Sequence, residues 1–111
     1  MAYEPGDVVL VPFPFTDLSS AKRRPVLVLS SRDFNAHSQD FIVCGITSNL
    51  ANTAHSVLID NKDMLRGRLP APSRIKVGKV ATLLQSLSVR TVGRIRPDVL
   101  ARARKELLTI L

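Results

Sequence analysis

The run Val26-Leu27-Val28-Leu29 constrains this chain more than any other stretch. It is short, apolar on both faces and half β-branched, which is the pattern of a strand covered on both sides. Pro25 precedes it. A proline has no N–H to give a ladder, so it is expected at the strand's first residue. Arg24 then stands where a loop hands over to a rigid strand, with Lys22 and Arg23 before it. A guanidinium so placed has a fixed base and an open side, which is what a functional site asks of a charged group. A basic triplet is equally the ordinary composition of a solvated loop end, so residue type alone leaves both readings standing.

The rest of the chain falls into further short strands. Gly6 to Phe13 reads as the first, with Val8, Val9, Leu10 and Val11; Pro12 and Pro14 put it at an edge or end it early. Phe15 to Arg23 is a polar loop, Arg24 to Ser31 the second strand, and Arg32 to Gln39 a turn or loose helical turn. Asp40 to Thr47 is a third strand, apolar on both faces and therefore central, running out into the hydroxyl-rich step Thr47-Ser48-Asn49. Ser56 to Asp60 is a fourth strand, and Asn61 to Pro72, with Gly67, Pro70 and Pro72, a connector. In Ser73 to Leu84, Ile75 and Val77 alternate with Arg74 and Lys76, the mark of a half-buried strand with one basic face. Gly78 breaks that strand or marks a bulge. Ser88 to Ile95 is the last strand.

The chain ends in a helix. Pro97 suits its first position and Asp98 the positive end of its dipole. Leu100, Ala103, Leu107 and Leu111 share one face, and Arg102 with Glu106 makes an i,i+4 pair. The fold class that follows is mainly β with a C-terminal helix: a small SH3-like barrel of strongly bent antiparallel strands.

At 111 residues, 45% of them hydrophobic, the chain is one domain, residues 1–111, around one core of Val, Leu and Ile. Its one cysteine, Cys44, excludes an internal disulfide and a cysteine metal cluster, and lies in an apolar strand as a core residue. No apolar run reaches membrane-spanning length, and the first residues lack the basic and apolar regions of a signal peptide, so a cytoplasmic protein with no membrane partner is expected. Charge is segregated. Residues 1–63 carry seven acidic and five basic side chains, whereas residues 64–105 carry eleven basic and one acidic, within a net charge of +7. A segment that basic suits a polyanion. The acidic residues are scattered without metal-ligand spacing, so no metal and no cofactor are expected. No glycine-rich phosphate loop is present, which leaves nucleotide hydrolysis unsupported. His37 and His55 read as surface histidines.

Gly6-Asp7-Val8-Val9-Leu10-Val11, a polar loop, Arg24-Pro25-Val26-Leu27-Val28-Leu29 and a strand closing on Ile46-Thr47 together resemble the MazF/PemK toxins of toxin–antitoxin systems. The resemblance runs in order along nearly the whole chain. It implies an SH3-like barrel, a homodimer, and a metal-independent, sequence-selective endoribonuclease. It also implies a cognate antitoxin whose extended acidic segment occupies the RNA groove. By position, the family's catalytic arginine falls on Arg24 and its catalytic hydroxyl on Thr47. Two elements depart from the family pattern: Ser19-Ser20-Ala21-Lys22-Arg23 has no carboxylate where many members have one, and Lys76 and Gly78 are the nearest residues where members often carry an arginine and an aspartate, with Arg74 as a rival for the arginine.

The residue types suit RNA cleavage, because the 2′-hydroxyl is already beside its phosphate and the protein has to align the backbone and stabilise charge. Arg24 is a fixed fork of donors that stays charged, and Thr47 can donate to the same phosphate. Contacts to single-stranded RNA are expected from Phe15, Ser19, Ser20, Lys22, Arg23, Ser48, Asn49, Arg74, Lys76 and Lys79, with Arg90 and Arg94 as further backbone contacts. For Thr47 and Ser48, plain turn chemistry is the competing reading. Two other functions stay open: a catalytically silent barrel that binds RNA or protein, and a gyrase-poison relative. The gyrase poisons rely on a tryptophan near the C-terminus, and this chain has none.

Overall fold

The structure, a computed structural model, describes residues 2–12, 22–51 and 53–111. Its strands are β1 (Asp7–Pro12), β2 (Arg23–Val28), β3 (Asp40–Thr47), β4 (Ser56–Ile59), β5 (Met64–Gly67), β6 (Ser73–Leu84) and β7 (Arg90–Ile95), with helices α1 (Arg32–His37) and α2 (Pro97–Leu108). The seven strands pair antiparallel in one sheet of order β4-β6-β3-β2-β1-β7-β5, curled into a half-barrel. The runs apolar on both faces, β2 and β3, lie in its interior, as their sequences require. β1 is interior as well, between β2 and β7, so Pro12 ends it early and does not mark an edge.

The sheet buries side chains on both faces. On one face Val8, Leu27, Cys44, Ile46, Val57, Ile75 and Val77 form the main core with Val99, Leu100 and Ala103 of α2. On the other, Val9, Val11, Val26, Val28, Phe41 and Val43 form a second cluster, with Tyr3, Ala81 and Leu83 against it. The helix opens with Pro97 at its first turn, as expected, and Arg96 holds the Asp98 carboxylate with two hydrogen bonds of 3.0 and 3.2 Å. The expected Arg102–Glu106 pair is not formed. Arg102 reaches Asp63 at 3.6 Å and Glu106 reaches His55 at 3.5 Å, because tertiary partners outbid an exposed pair worth a few tenths of a kcal/mol.

Two strand readings need correction. β2 begins at Arg23, so Pro25 is its third residue and not its first. The segment read as a connector contains β5, an edge strand paired to β7. β5 rests on close backbone approach and has little side-chain pattern: a Cβ on Gly67 (φ +76°) would run into the Val92 carbonyl oxygen, and one on Gly93 into that of Arg66. Gly78, by contrast, behaves as expected. The β3–β6 register jumps from Cys44↔Val80 to Gly45↔Lys76, leaving Val77, Gly78 and Lys79 as a bulge.

At the other end of the sheet α1 is pinned by a buried polar network. Ser30 Oγ donates to Asn35 Oδ1 at 2.5 Å and accepts from the Ile42 N–H at 2.9 Å. Asn35 Nδ2 donates to the carbonyls of Tyr3 and Ser30 at 2.9 and 3.0 Å.

Candidate nucleic-acid interface

Backbone register builds the site. β2 pairs with β3 through Val26↔Gly45, Leu27↔Cys44 and Val28↔Val43 and no further. Leu29 N–H donates to the Ile42 carbonyl at 2.8 Å, while the Val28 carbonyl accepts from Gly6 at 2.9 Å on the opposite side. Odd residues of β2 therefore aim their backbone groups at β3, and even ones at β1. The next odd residue is Pro25, and its partner in register is Ile46. Pro25 has no N–H to offer, and the β2–β3 pairing ends before it.

One step further along that register stand Arg24 and Thr47, on the same face of the sheet. Arg24 is anchored from the other side by pairing with Val11 of β1. Thr47 pairs with Arg74 of β6, and Arg74 with Leu58 of β4. Arg24, Thr47 and Arg74 thus form a row across three adjacent strands, at the rim of the second apolar cluster. Arg24 and Thr47 are half-buried. Strand alternation turns Arg23 to the other face, where it is exposed, and exposed Lys22 precedes β2.

Thr47 opens a loop that is held closely. The Asn49 N–H donates to Thr47 Oγ1 at 3.1 Å, and the Ala51 N–H to Asn49 Oδ1 at 3.0 Å. Because Asn49 occupies a lone pair of the hydroxyl, Thr47 has its O–H to give elsewhere. Arg74 Nε donates to the Leu50 carbonyl at 3.1 Å and Nη1 to Ser56 Oγ at 3.3 Å; Lys76 Nζ donates to the Ala54 carbonyl at 3.4 Å. Ser48 and Asn49 are exposed at the loop's start, and Lys79 is exposed in the β6 bulge, outside the row. Phe15, Ser19 and Ser20 lie outside the described residues.

The remaining candidates are distributed elsewhere. Arg94 gives its Nε to buried Asp7 at 2.7 Å, a tie between β7 and the start of β1. Arg90 lines a cleft of about 470 Å³ with Arg68, over Leu10, Pro25, Leu69 and Val92, on the opposite face of β2 from Arg24. Neither histidine joins the row: His37 on α1 contacts Asp33, and His55 turns to Glu106 of α2. Cys44 is fully buried, and burial pushes its thiol up to about 12, so it is no nucleophile. Among the described residues no group of three or more His, Cys, Asp or Glu side chains could hold a metal ion. Among them, too, no helix is long and apolar enough to cross a membrane.

What sequence reading missed here is where the β2–β3 ladder ends and what Arg74 holds. The missing donor was legible at Pro25, but that it falls opposite Ile46, next to Arg24 and Thr47, depends on a register no local pattern carries. The basic face of Arg74 and Lys76 was visible; that it faces the loop after Thr47 was not.

The family model for the PemK-like, MazF-like toxin of type II toxin–antitoxin systems matches residues 4–111. The chain belongs to the MazF/PemK toxin family. No curated protein matches it in sequence. Solved structures with the same fold include an endoribonuclease from mycobacterial species, at 19% identity and a TM-score of 0.76 over 98% of this chain and 90% of that one. MazF from Deinococcus radiodurans superposes with a TM-score of 0.74 at 22% identity, covering 99% and 96% of the two chains. A mycobacterial endoribonuclease in complex with its cognate antitoxin does so with 0.73 at 20% identity, covering 97% and 91%. The MazF/PemK fold thus accounts for every described strand and the closing helix.

Proposed function

We propose that this MazF/PemK chain is a cytoplasmic endoribonuclease toxin that cleaves single-stranded RNA without a metal ion, and that a cognate antitoxin restrains it through an extended acidic segment. The feature that supports this reading is the β2–β3 register, which, continued past its last pair, sets Arg24 level with Thr47 on one face at the sheet's rim. In the reaction, the 2′-oxygen attacks the neighbouring phosphorus and loses its proton. The bond to the 5′-oxygen breaks, and that oxygen takes up a proton. The products are a 2′,3′-cyclic phosphate and a 5′-hydroxyl end. Arg24 meets the negative charge that grows on the non-bridging oxygens, and the Thr47 O–H donates to the same group. Pre-placed donors of this kind are worth about 2.7–4 kcal/mol each. Neither histidine is placed to act as base, so the reading is of a slow nuclease that works by alignment and charge stabilisation.

The second copy of the homodimer finds a seat on an apolar groove of about 370 Å³ between Leu29, Ile42, Val80, Leu107 and Leu111. Val80 and Leu111 are 48% and 86% exposed there, apolar surface that a partner copy would cover. The test is incubation of the purified protein with a long single-stranded RNA in EDTA, beside Arg24→Ala. Discrete fragments with 5′-hydroxyl ends from the native protein alone are the expected result. RNA left intact by both proteins, across many sequences, would transfer the assignment to a silent binder.

A further inference from the structure

We infer that Arg74 and Lys76 are positioning residues: they latch the described parts of the loop after Thr47, 48–51 and 53–55, and thereby fix the Thr47 hydroxyl. This rests on the endoribonuclease reading for its kinetic consequence, though not for its structural one.

The row Arg24–Thr47–Arg74 sets two arginines on either side of one threonine, and the obvious reading gives both to the RNA backbone. Two donors of Arg74, however, are given to the protein. Arg74 spends Nε on the Leu50 carbonyl and Nη1 on Ser56 Oγ, so its fork spans the loop from near its start to its end. Lys76, two residues along the same face of β6, holds the Ala54 carbonyl between those two points. The loop begins at the residue whose hydroxyl is at issue. Thr47 Oγ1 accepts from Asn49, and Asn49 Oδ1 in turn from Ala51. Leu50 lies between these last two donors, so a latch on its carbonyl sets the turn that orients the Thr47 side chain.

The chemistry of the two side chains fits the task. The Leu50 and Ala54 carbonyls and the Ser56 hydroxyl are neutral acceptors, and a planar fork can bridge two acceptors where an ammonium serves as a point donor. His55 closes the loop with φ +48°, a left-handed conformation uncommon outside glycine, asparagine, aspartate and histidine. Its imidazole lies 3.5 Å from Glu106 of α2. The loop is thus tied to β6 from beneath and to α2 at its end. A phosphate held by those same two N–H groups would need Arg74 to let go of Leu50 or Ser56.

Two arms test this on the purified full chain. The first measures kcat and KM on a short single-stranded RNA over a range of salt for Arg74→Ala, Arg74→Lys and Lys76→Ala. A positioning role lowers kcat by up to about 10²-fold in Arg74→Ala, as misplacement of a reacting group does. Arg74→Lys recovers little, and the slope of log KM against log salt stays as in the native protein. A phosphate contact gives the opposite pattern: KM rises, the slope falls by about 0.7, and the lysine recovers most of the loss. That pattern overturns the inference. The second arm needs no activity: amide hydrogen exchange at Asn49 and Ala51 should quicken in Arg74→Ala while the amides of β2 and β3 keep their protection. Unchanged exchange in the loop overturns the latch even if the protein proves not to cleave RNA. Native protein that leaves RNA intact while Arg74→Ala frees the loop refutes the function and keeps the latch.

Discussion

Arg24 of β2 and Thr47 of β3 share a register position but not a ladder, because the pair between them and the rest of the sheet, Pro25 and Ile46, lacks its donor. The two strands are packed below that point, with Val26, Leu27 and Cys44 all buried. Beyond it the β2–β3 ladder does not continue, and Arg24 and Thr47 fall on one face. The proline therefore acts on the site through the backbone N–H it lacks.

Pro25→Val tests this directly. It places an N–H opposite the Ile46 carbonyl and keeps a β-former in the strand. Stability should change by about 1 kcal/mol or less, the new hydrogen bond offsetting the lost chain stiffness. The amide of residue 25 should become protected from exchange, and RNA cleavage should fall about tenfold or more as the ladder extends to the rim. Full activity alongside a protected amide would show that the end of the ladder at Pro25 is not needed.

The hydroxyl makes a separable prediction. Thr47→Val keeps shape and removes the donor; since Thr47 is only half-buried and its bond to Asn49 is exposed, the fold should hold. The turnover rate should drop by about 10²-fold with KM little changed, as for loss of one transition-state donor. Thr47→Ser should retain most of the activity. Equal losses for serine and valine would assign Thr47 to packing.

Much of this was legible beforehand, and the part that was not has a physical reason. Burial on both faces marked β2 and β3 as interior strands, because apolar runs of that length have no other stable placement. Gly78 announced the bulge and Pro97 the helix start, since each restricts or frees its own backbone. β5 was invisible because Met64-Leu65-Arg66-Gly67 carries no alternating pattern; it exists because Gly67 and Gly93 let two backbones approach. The partners of Arg74, Arg94, Arg102 and Glu106 were equally hidden, being fixed by contacts between residues 18 or more apart.

Gly93→Ala should therefore cost more than its size suggests. The new methyl would meet the Arg66 carbonyl oxygen, with Met64 Cε at 2.9 Å and Gly67 Cα at 3.0 Å behind it. Two of these are backbone, so relief requires β5 to leave β7. Urea unfolding should show a loss of about 1–3 kcal/mol. A loss below a few tenths would mean that β5 contributes little to holding the sheet. Leu65→Ala, at a side chain 58% exposed, should be near neutral by comparison.

The buried thiol gives the chain a stability limit at alkaline pH. Burial raises Cys44 from 9.0 to about 12. Between those values the unfolded chain has released the thiol proton and the folded chain has kept it. The unfolded state then binds fewer protons, so stability falls as pH rises across this window and is fully present below pH 9. Urea midpoints measured from pH 8 to 11 should decline for the native protein. Cys44→Ala should start lower, because it leaves a small void in the core, and should decline less steeply. Parallel slopes for the two proteins would assign the alkaline loss to groups other than Cys44. The same burial should keep Cys44 unreactive towards iodoacetamide at pH 8 until urea unfolds the chain, and alkylation at the native rate of an exposed thiol would contradict the packing of β3 against β2 and β6.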